Sequence, residues 1–367
     1  MVGAVLVAAA AGCGSTASHR AAATSTTTAA SPGRSDVAVA PTAGSPDAWR
    51  PPAYDHPGSF TSRAVTVGTG ALAVHGMLTT PHGPGPFPAV VLVPGSGPED
   101  ANETVGAEEP FRDLADGLSS QGIVVLRYDK PTLDHPEAFI DDQSVTSGQT
   151  DVTPALAAIV QLRHTPGVDP TDIVIVGHSL GANLAPRIAA MASPVAGLVL
   201  LAAPAGPLQD YLVPQTRYLD SLKGPLTAPE RAGLATLAHQ VATADSLGLS
   251  LATPARELPL GQPASYWLYQ RAYNGPRTAA SLPSMPMLVA HGGRDYQVPP
   301  SDLGTWRKAL AGRPAATFAL FPALDHLLVT GSGPSTPAAY QLPGHVAAIV
   351  VERIAAFVSA THTHNPG

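Results

Sequence analysis

Short apolar runs rich in β-branched residues recur along the chain, at residues 89–93, 123–126, 173–176, 198–201 and 287–290. None alternates apolar with polar positions, so each predicts a strand buried on both faces, as in parallel sheets. Between these runs the apolar spacing becomes helical, at residues 111–120, at 151–163 and in the stretch after Ser179. Residues 316–320 predict one more strand and residues 346–358 a last helix. Upstream, residues 64–68 and 71–78 read as two strands turning at Gly68-Thr69-Gly70. This order of strand and helix predicts an α/β fold, a mostly parallel central sheet with crossover helices on both faces.

The alternation stops between about residue 205 and residue 284. Thr227-Ala228-Pro229-Glu230 is a capping box with proline inside it, and it predicts a helix to about Ala244. Residues 264–273 predict another, carrying Tyr266, Trp267, Tyr269 and Tyr273. A helical insertion in a parallel-sheet pattern reads as a cap over the carboxyl ends of the strands, where open α/β sheets bind ligands. Its Leu, Ala, Pro and aromatic residues suit a small apolar acyl pocket, and core packing explains them equally well. The expected organisation is a core in two parts, 53–204 and 285–360, with the cap at 205–284 and a tail at 361–367. There is no internal repeat.

The first fifty residues follow another pattern. An apolar run at residues 2–11 leads into Gly12-Cys13-Gly14-Ser15, after which large apolar residues are scarce until Trp49. So little apolar surface cannot offset the entropy of ordering a backbone, so residues 13–52 read as a tether behind a signal segment at 1–12. An apolar run ending in small residues and a cysteine resembles the lipobox of bacterial lipoproteins. That resemblance implies a lipid on Cys13 and export to a membrane surface; an ordinary cleaved secretion signal is the alternative. The run is too short to span a bilayer, and a single cysteine forms no internal disulfide.

Composition narrows the partners. Charged residues are 13% of the chain and the formal net charge is −7, with no cluster of Lys and Arg, which excludes nucleic acid. The 13 histidines show no His-Glu-x-x-His or comparable spacing, so neither metal nor cofactor is expected. A small-molecule partner remains.

The strongest chemical signal is Gly177-His178-Ser179-Leu180-Gly181. Gly-x-Ser-x-Gly recurs by chance, yet here it follows a buried strand and opens a helix, where a sharp turn lifts the serine Oγ clear of the sheet. A serine hydroxyl needs a base to take its proton, and in this arrangement the chain order is Ser, acid, His. Asp295 follows the strand at 287–290, and His326 lies just past the strand at 316–320. Asp325 is a poor orienting acid for its neighbour, because adjacent side chains on an extended segment diverge. His178 is expected beside the nucleophile, His291 at a strand end lining the pocket, and His345, His362 and His364 in solvent. An oxyanion hole needs two backbone N–H groups aimed at the developing charge. Leu180, after the nucleophile, supplies one; the loop Val93-Pro94-Gly95-Ser96-Gly97-Pro98 supplies the other, from Ser96 first and Gly97 second.

These residues, with Pro94-Gly95-Ser96-Gly97-Pro98-Glu99-Asp100, Phe111-Arg112-Asp113-Leu114-Ala115, Leu126-Arg127-Tyr128-Asp129-Lys130 and Asp295-Tyr296-Gln297-Val298-Pro299, resemble bacterial carboxylesterases of the α/β-hydrolase superfamily. The likeness is to the broad group with dienelactone-hydrolase-like and acyl-peptidase-like relatives. It runs from about Ala89 to Val358, interrupted by the cap. It implies an α/β-hydrolase fold and a serine hydrolase that cleaves short-chain carboxylic esters through Ser179, His326 and Asp295. Two positions depart from the pattern: Pro94 stands where a histidine often precedes the oxyanion glycine, and Pro131 where a basic residue is usual. The first leaves the backbone donor intact; the second bears on the pocket rim. A serine peptidase or an acyltransferase would use the same triad. A third reading, a non-catalytic lipoprotein that binds a ligand, is opposed by the complete triad.

Overall fold

The computed structural model describes residues 49–363. Its strands are β1 (Phe60–Val67), β2 (Val74–Pro81), β3 (Phe87–Val93), β4 (Val124–Tyr128), β5 (Val168–His178), β6 (Gly197–Leu201), β7 (Met287–Gly292) and β8 (Ala316–Phe321). They form one sheet in the order β1-β2-β4-β3-β5-β6-β7-β8. β2 pairs antiparallel with β1 and β4, and every other neighbouring pair is parallel. The helices that cover the sheet are α1 (Pro110–Ser119), α2 (Pro131–Asp134, a single turn), α3 (Thr153–Arg163) and α4 (Leu180–Ala192). Between β6 and β7 lie α5 (Gln209–Ser221), α6 (Ala228–Asp245), α7 (Ala264–Arg271) and α8 (Gly275–Ser281), and α9 (Asp302–Ala309) and α10 (Ala348–Thr363) follow.

The unbroken apolar runs are explained by two cores, one on each face. Val91, Val93, Ile173 and Ile175 pack with residues of α3, α4 and α9, among them Leu162, Ala185 and Trp306. The alternate residues Val90, Leu92, Val174 and Val176 pack with Phe111, Leu114, Val351 and Ile354 of α1 and α10. Each such side chain contributes roughly 1.5–3 kcal/mol by leaving water. The chain leaves β3 toward β4 on one side, while β5 lies on the other. The loops after β3 and β5 therefore part at this switch of direction and open a crevice.

Several elements differ from the pattern reading. β2 starts at Val74 because residues Gly70–Leu72 form a 3-10 turn between the two strands. β5 reaches back to Val168, which pairs with Phe87 of β3 across a shift of register. The capping box is present, with the Thr227 N–H donating to Glu230 Oε2 at 2.8 Å. α5 and α7 join α6 around a small core of their own that includes Leu212, Ala244, Leu258 and Trp267. α8 packs instead against α4 and α9, so the separate helical layer ends before residue 284.

Cys13, the expected signal segment and most of the expected tether lie outside the described residues. The domain begins by Trp49, not after residue 52: Trp49 Nε1 donates to Asp113 Oδ1 at 2.9 Å, and the Arg112 guanidinium stacks 3.5 Å over its ring. α10 runs on to Thr363, beyond the boundary expected at 360. Two histidines expected in solvent are half-buried. His345 Nδ1 lies 3.0 Å from Asp113 Oδ1, and His362 Nδ1 2.6 Å from Asp172 Oδ2. His364 is outside the described residues. Among the described residues, no helix is long and apolar enough to cross a membrane.

Candidate active site

Ser179 joins the end of β5 to the start of α4 with φ 52° and ψ −120°. For a residue with a side chain this conformation costs on the order of 1–3 kcal/mol and persists only where the surroundings enforce it. Here the Ser179 N–H donates to Leu201 O at 2.9 Å, and its carbonyl accepts from the Asn183 N–H at 3.0 Å. The flanking glycines permit the crossing. A Cβ on Gly177 would lie 2.5 Å from Gly181 O, and one on Gly181 would strike the carbonyl of Val93. His178 and Leu180 are buried while Ser179 is half-open, so the turn presents the serine to the crevice.

Asp295 follows β7 and His326 follows β8. Asp295 Oδ1 accepts the N–H groups of Gln297 and Val298 at 2.8 and 2.9 Å, which fixes the carboxylate on its own loop. Its Oδ2 lies 2.7 Å from His326 Nδ1, with the two side chains 0% and 4% exposed. A carboxylate only accepts, so Nδ1 carries the hydrogen and Nε2 of His326 is left as the basic nitrogen. Asp325 faces elsewhere: its Oδ1 accepts the N–H groups of Leu327 and Val329, both at 3.1 Å, and so shapes the turn that carries His326. His291 is fully buried, with Nε2 donating to Val298 O at 2.9 Å. It therefore braces the acid loop and does not line a pocket.

The glycine-rich loop after β3 passes directly against the nucleophile, since a Cβ on Gly95 would sit 3.3 Å from Ser179 Cβ. The Gly95 N–H donates to Glu103 Oε1 at 2.6 Å, and its carbonyl accepts from Lys130 Nζ at 2.8 Å. Gly95 is thus engaged in both directions, and Ser96 bears the next N–H. Among the described residues, the N–H groups of Ser96 and Leu180 donate to no protein group. They are available to a ligand oxygen.

Beneath this loop lies a buried polar layer that no sequence motif marks. Lys130 pairs with Asp151 at 2.5 Å, and both are nearly inaccessible. Glu103 Oε1 also lies 2.9 Å from His178 Nδ1, and His178 Nε2 lies 2.9 Å from the His326 carbonyl. Burial and the neighbouring Glu103 push Glu99 up to about 8, against the pull of Lys130. The only local signal for this layer is the run of acids after a glycine-rich loop, at Glu99, Asp100 and Glu103. One set of potential metal ligands meets among the described residues, His75, Asp129 and Asp134. It lies at the surface, and His75 Nδ1 is already 3.0 Å from Asp134 Oδ2.

The profile of the alpha/beta hydrolase family matches residues 90–340, from β3 to the turn before α10. The chain belongs to the alpha/beta hydrolase family. Esterase EstD of Thermotoga maritima is 39% identical to this hydrolase over 304 residues, 83% of this chain and 69% of EstD. Among solved structures, Est1E from Butyrivibrio proteoclasticus superposes with a TM-score of 0.50 at 16% identity, covering 82% of this chain and 99% of that one. DcsB, in a complex with its substrate analogue, gives a TM-score of 0.51 at 17% identity over 82% of this chain and 100% of that one. At such identities the structural likenesses speak for the fold alone.

Proposed function

We propose that this alpha/beta hydrolase is a serine esterase that cleaves short-chain carboxylic esters by way of an acyl-enzyme. The observation that carries the reading is the 2.7 Å contact between Asp295 Oδ2 and His326 Nδ1: a carboxylate only accepts, so Nδ1 carries the hydrogen, which leaves Nε2 to take the Ser179 proton. Ser179 Oγ attacks the acyl carbon while His326 accepts its proton, and the imidazolium returns it to the leaving alcohol. Asp295 stabilises that imidazolium and stays ionised. The negative charge on the carbonyl oxygen falls to the N–H groups of Ser96 and Leu180. Water, deprotonated by His326, then attacks the acyl carbon; the bond to Ser179 Oγ breaks, His326 returns the proton to Oγ and the acid leaves. The 39% identity to an esterase over most of this chain supports ester over amide chemistry.

The test is turnover of p-nitrophenyl acetate and butyrate. Ser179→Ala is expected to lower kcat on the order of 10⁴-fold or more without unfolding the protein; wild-type turnover in that variant would remove the nucleophile from the reading. A parallel panel of aminoacyl anilides and amine acceptors separates esterase from peptidase and acyltransferase. The same proposal places the enzyme outside the cytoplasm at a membrane surface, held by a lipid on Cys13. Metabolic labelling with a palmitate analogue, lost in Cys13→Ala, checks that placement.

A further inference from the structure

The ring of His178 makes two contacts whose partners dictate its charge. Nε2 faces the His326 carbonyl, and Nδ1 faces Glu103 Oε1. A carbonyl accepts and never donates, so Nε2 carries a hydrogen. Glu103 Oε1 already accepts the Gly95 N–H at 2.6 Å, and a carboxylate there takes a second hydrogen from Nδ1. With both nitrogens protonated, the ring is an imidazolium.

This pair joins two loops to the end of a strand. Glu103 and Gly95 belong to the loop after β3, His178 to the end of β5, and His326 to the loop after β8. We propose that Glu103 and His178 are positioning residues, a buried carboxylate–imidazolium clamp that holds the oxyanion loop and the base loop in register with Ser179. The inference rests on the serine-esterase reading above.

Three further observations favour positioning over plain stability. Buried ion pairs are weak stabilisers, and apolar residues of like volume often replace them without loss. The second oxygen of Glu103 is buried with no hydrogen-bond partner, so the site does not even satisfy its own carboxylate. Glu103 also takes a left-handed backbone, φ 53°, a strain that structures retain at functional sites. The clamp is close to the chemistry, since the rings of His178 and His326 are 4.7 Å apart.

The clamp depends on charge. The groups that face His178 are Glu103 and Glu99 on the loop after β3, Asp295 after β7, His326 after β8 and, from α1, the edge of the Phe111 ring. Burial alone would push the imidazole down, but the Glu103 carboxylate, its hydrogen bond and the His326 carbonyl outweigh that and push it up to about 9. Loss of that proton leaves one ring nitrogen with nothing to donate, so the clamp opens as pH rises through about 9.

The experiment is a kcat and KM profile on p-nitrophenyl acetate from pH 6 to 10, for wild type, Glu103→Gln and His178→Gln. Rates are normalised to sites labelled by a fluorophosphonate, with Ser179→Ala as control. Both clamp variants are expected to lose kcat about tenfold or more with KM within about twofold. Wild-type kcat is expected to fall above about pH 9, and the falling limb of Glu103→Gln to move toward neutrality. Unchanged kcat and limb in Glu103→Gln overturn the clamp, as does a loss that vanishes on normalisation. Should both variants fail to fold, a wild-type kcat that stays flat to pH 10 overturns it by itself. Wild-type turnover in Ser179→Ala would instead sink the esterase reading, so the two failures are distinguishable.

Discussion

Of the thirteen residues of α4, ten are buried; of the eighteen in α6, only Leu234 and Ala244 are. α4 is wedged between the sheet, α3 and α8, whereas α6 rests one face on the small core shared with α5 and α7. Polar ties join that layer to the loops around the site, as where Gln215 Nε2 donates to Gln297 O at 2.7 Å and Tyr218 Oη–H to Ser335 O at 2.8 Å. The difference shows how the molecule divides its stability. The groups proposed to react stand on the part that is buried on both faces, and the layer of α5, α6 and α7 is joined to it by polar ties of this kind.

The sharpest way to separate chemistry from both regions is Asp295→Asn. An amide on that loop donates toward Nδ1, which moves the ring hydrogen of His326 to Nε2 and leaves no base for Ser179. A fall in kcat on the order of 10⁴-fold with an unchanged melting curve is expected; equal losses of activity and fold would show that the acid loop is part of the core's stability. Next come paired truncations read by urea unfolding. Leu200→Ala, at a position 0% exposed in β6, is expected to lower global stability by about 2–5 kcal/mol. Leu234→Ala in α6 is expected to cost about 1 kcal/mol, and a loss as large as that of Leu200→Ala would break the comparison. The smallest effect belongs to Thr227→Ala, which removes the capping box of α6. It is expected to weaken that helix by about 1 kcal/mol, seen as faster amide exchange in α6 while α4 keeps its protection.

Much of this organisation was legible in the chain. The strands at the middle of the sheet announce themselves because both faces are covered, so their residues are uniformly apolar. The candidate elbow and acid were legible because each follows such a strand; the candidate base follows β8, the last strand of the sheet, whose residues are mostly only partly covered. α5 was not, since Pro214 interrupts its pattern and polar residues make up most of it. Short helices such as α8 and α9 offer too few turns for a period to stand out. The pairings of His178 with Glu103, His345 with Asp113 and His362 with Asp172 span 75, 232 and 190 residues. No local pattern encodes contacts of that kind. They exist only once the sheet has brought the loops together.

The backbone of Ser179 is left-handed, with φ 52°. A left-handed serine is a conformational debt of about 1–3 kcal/mol, larger than the roughly 0.4–1 kcal/mol by which a glycine's freer unfolded chain would penalise folding. On folding alone glycine would therefore be the less costly residue here, and under the proposed mechanism it would leave the enzyme without its nucleophile. Under the proposed mechanism the hydroxyl of Ser179, and not the fold, is what this backbone cost serves.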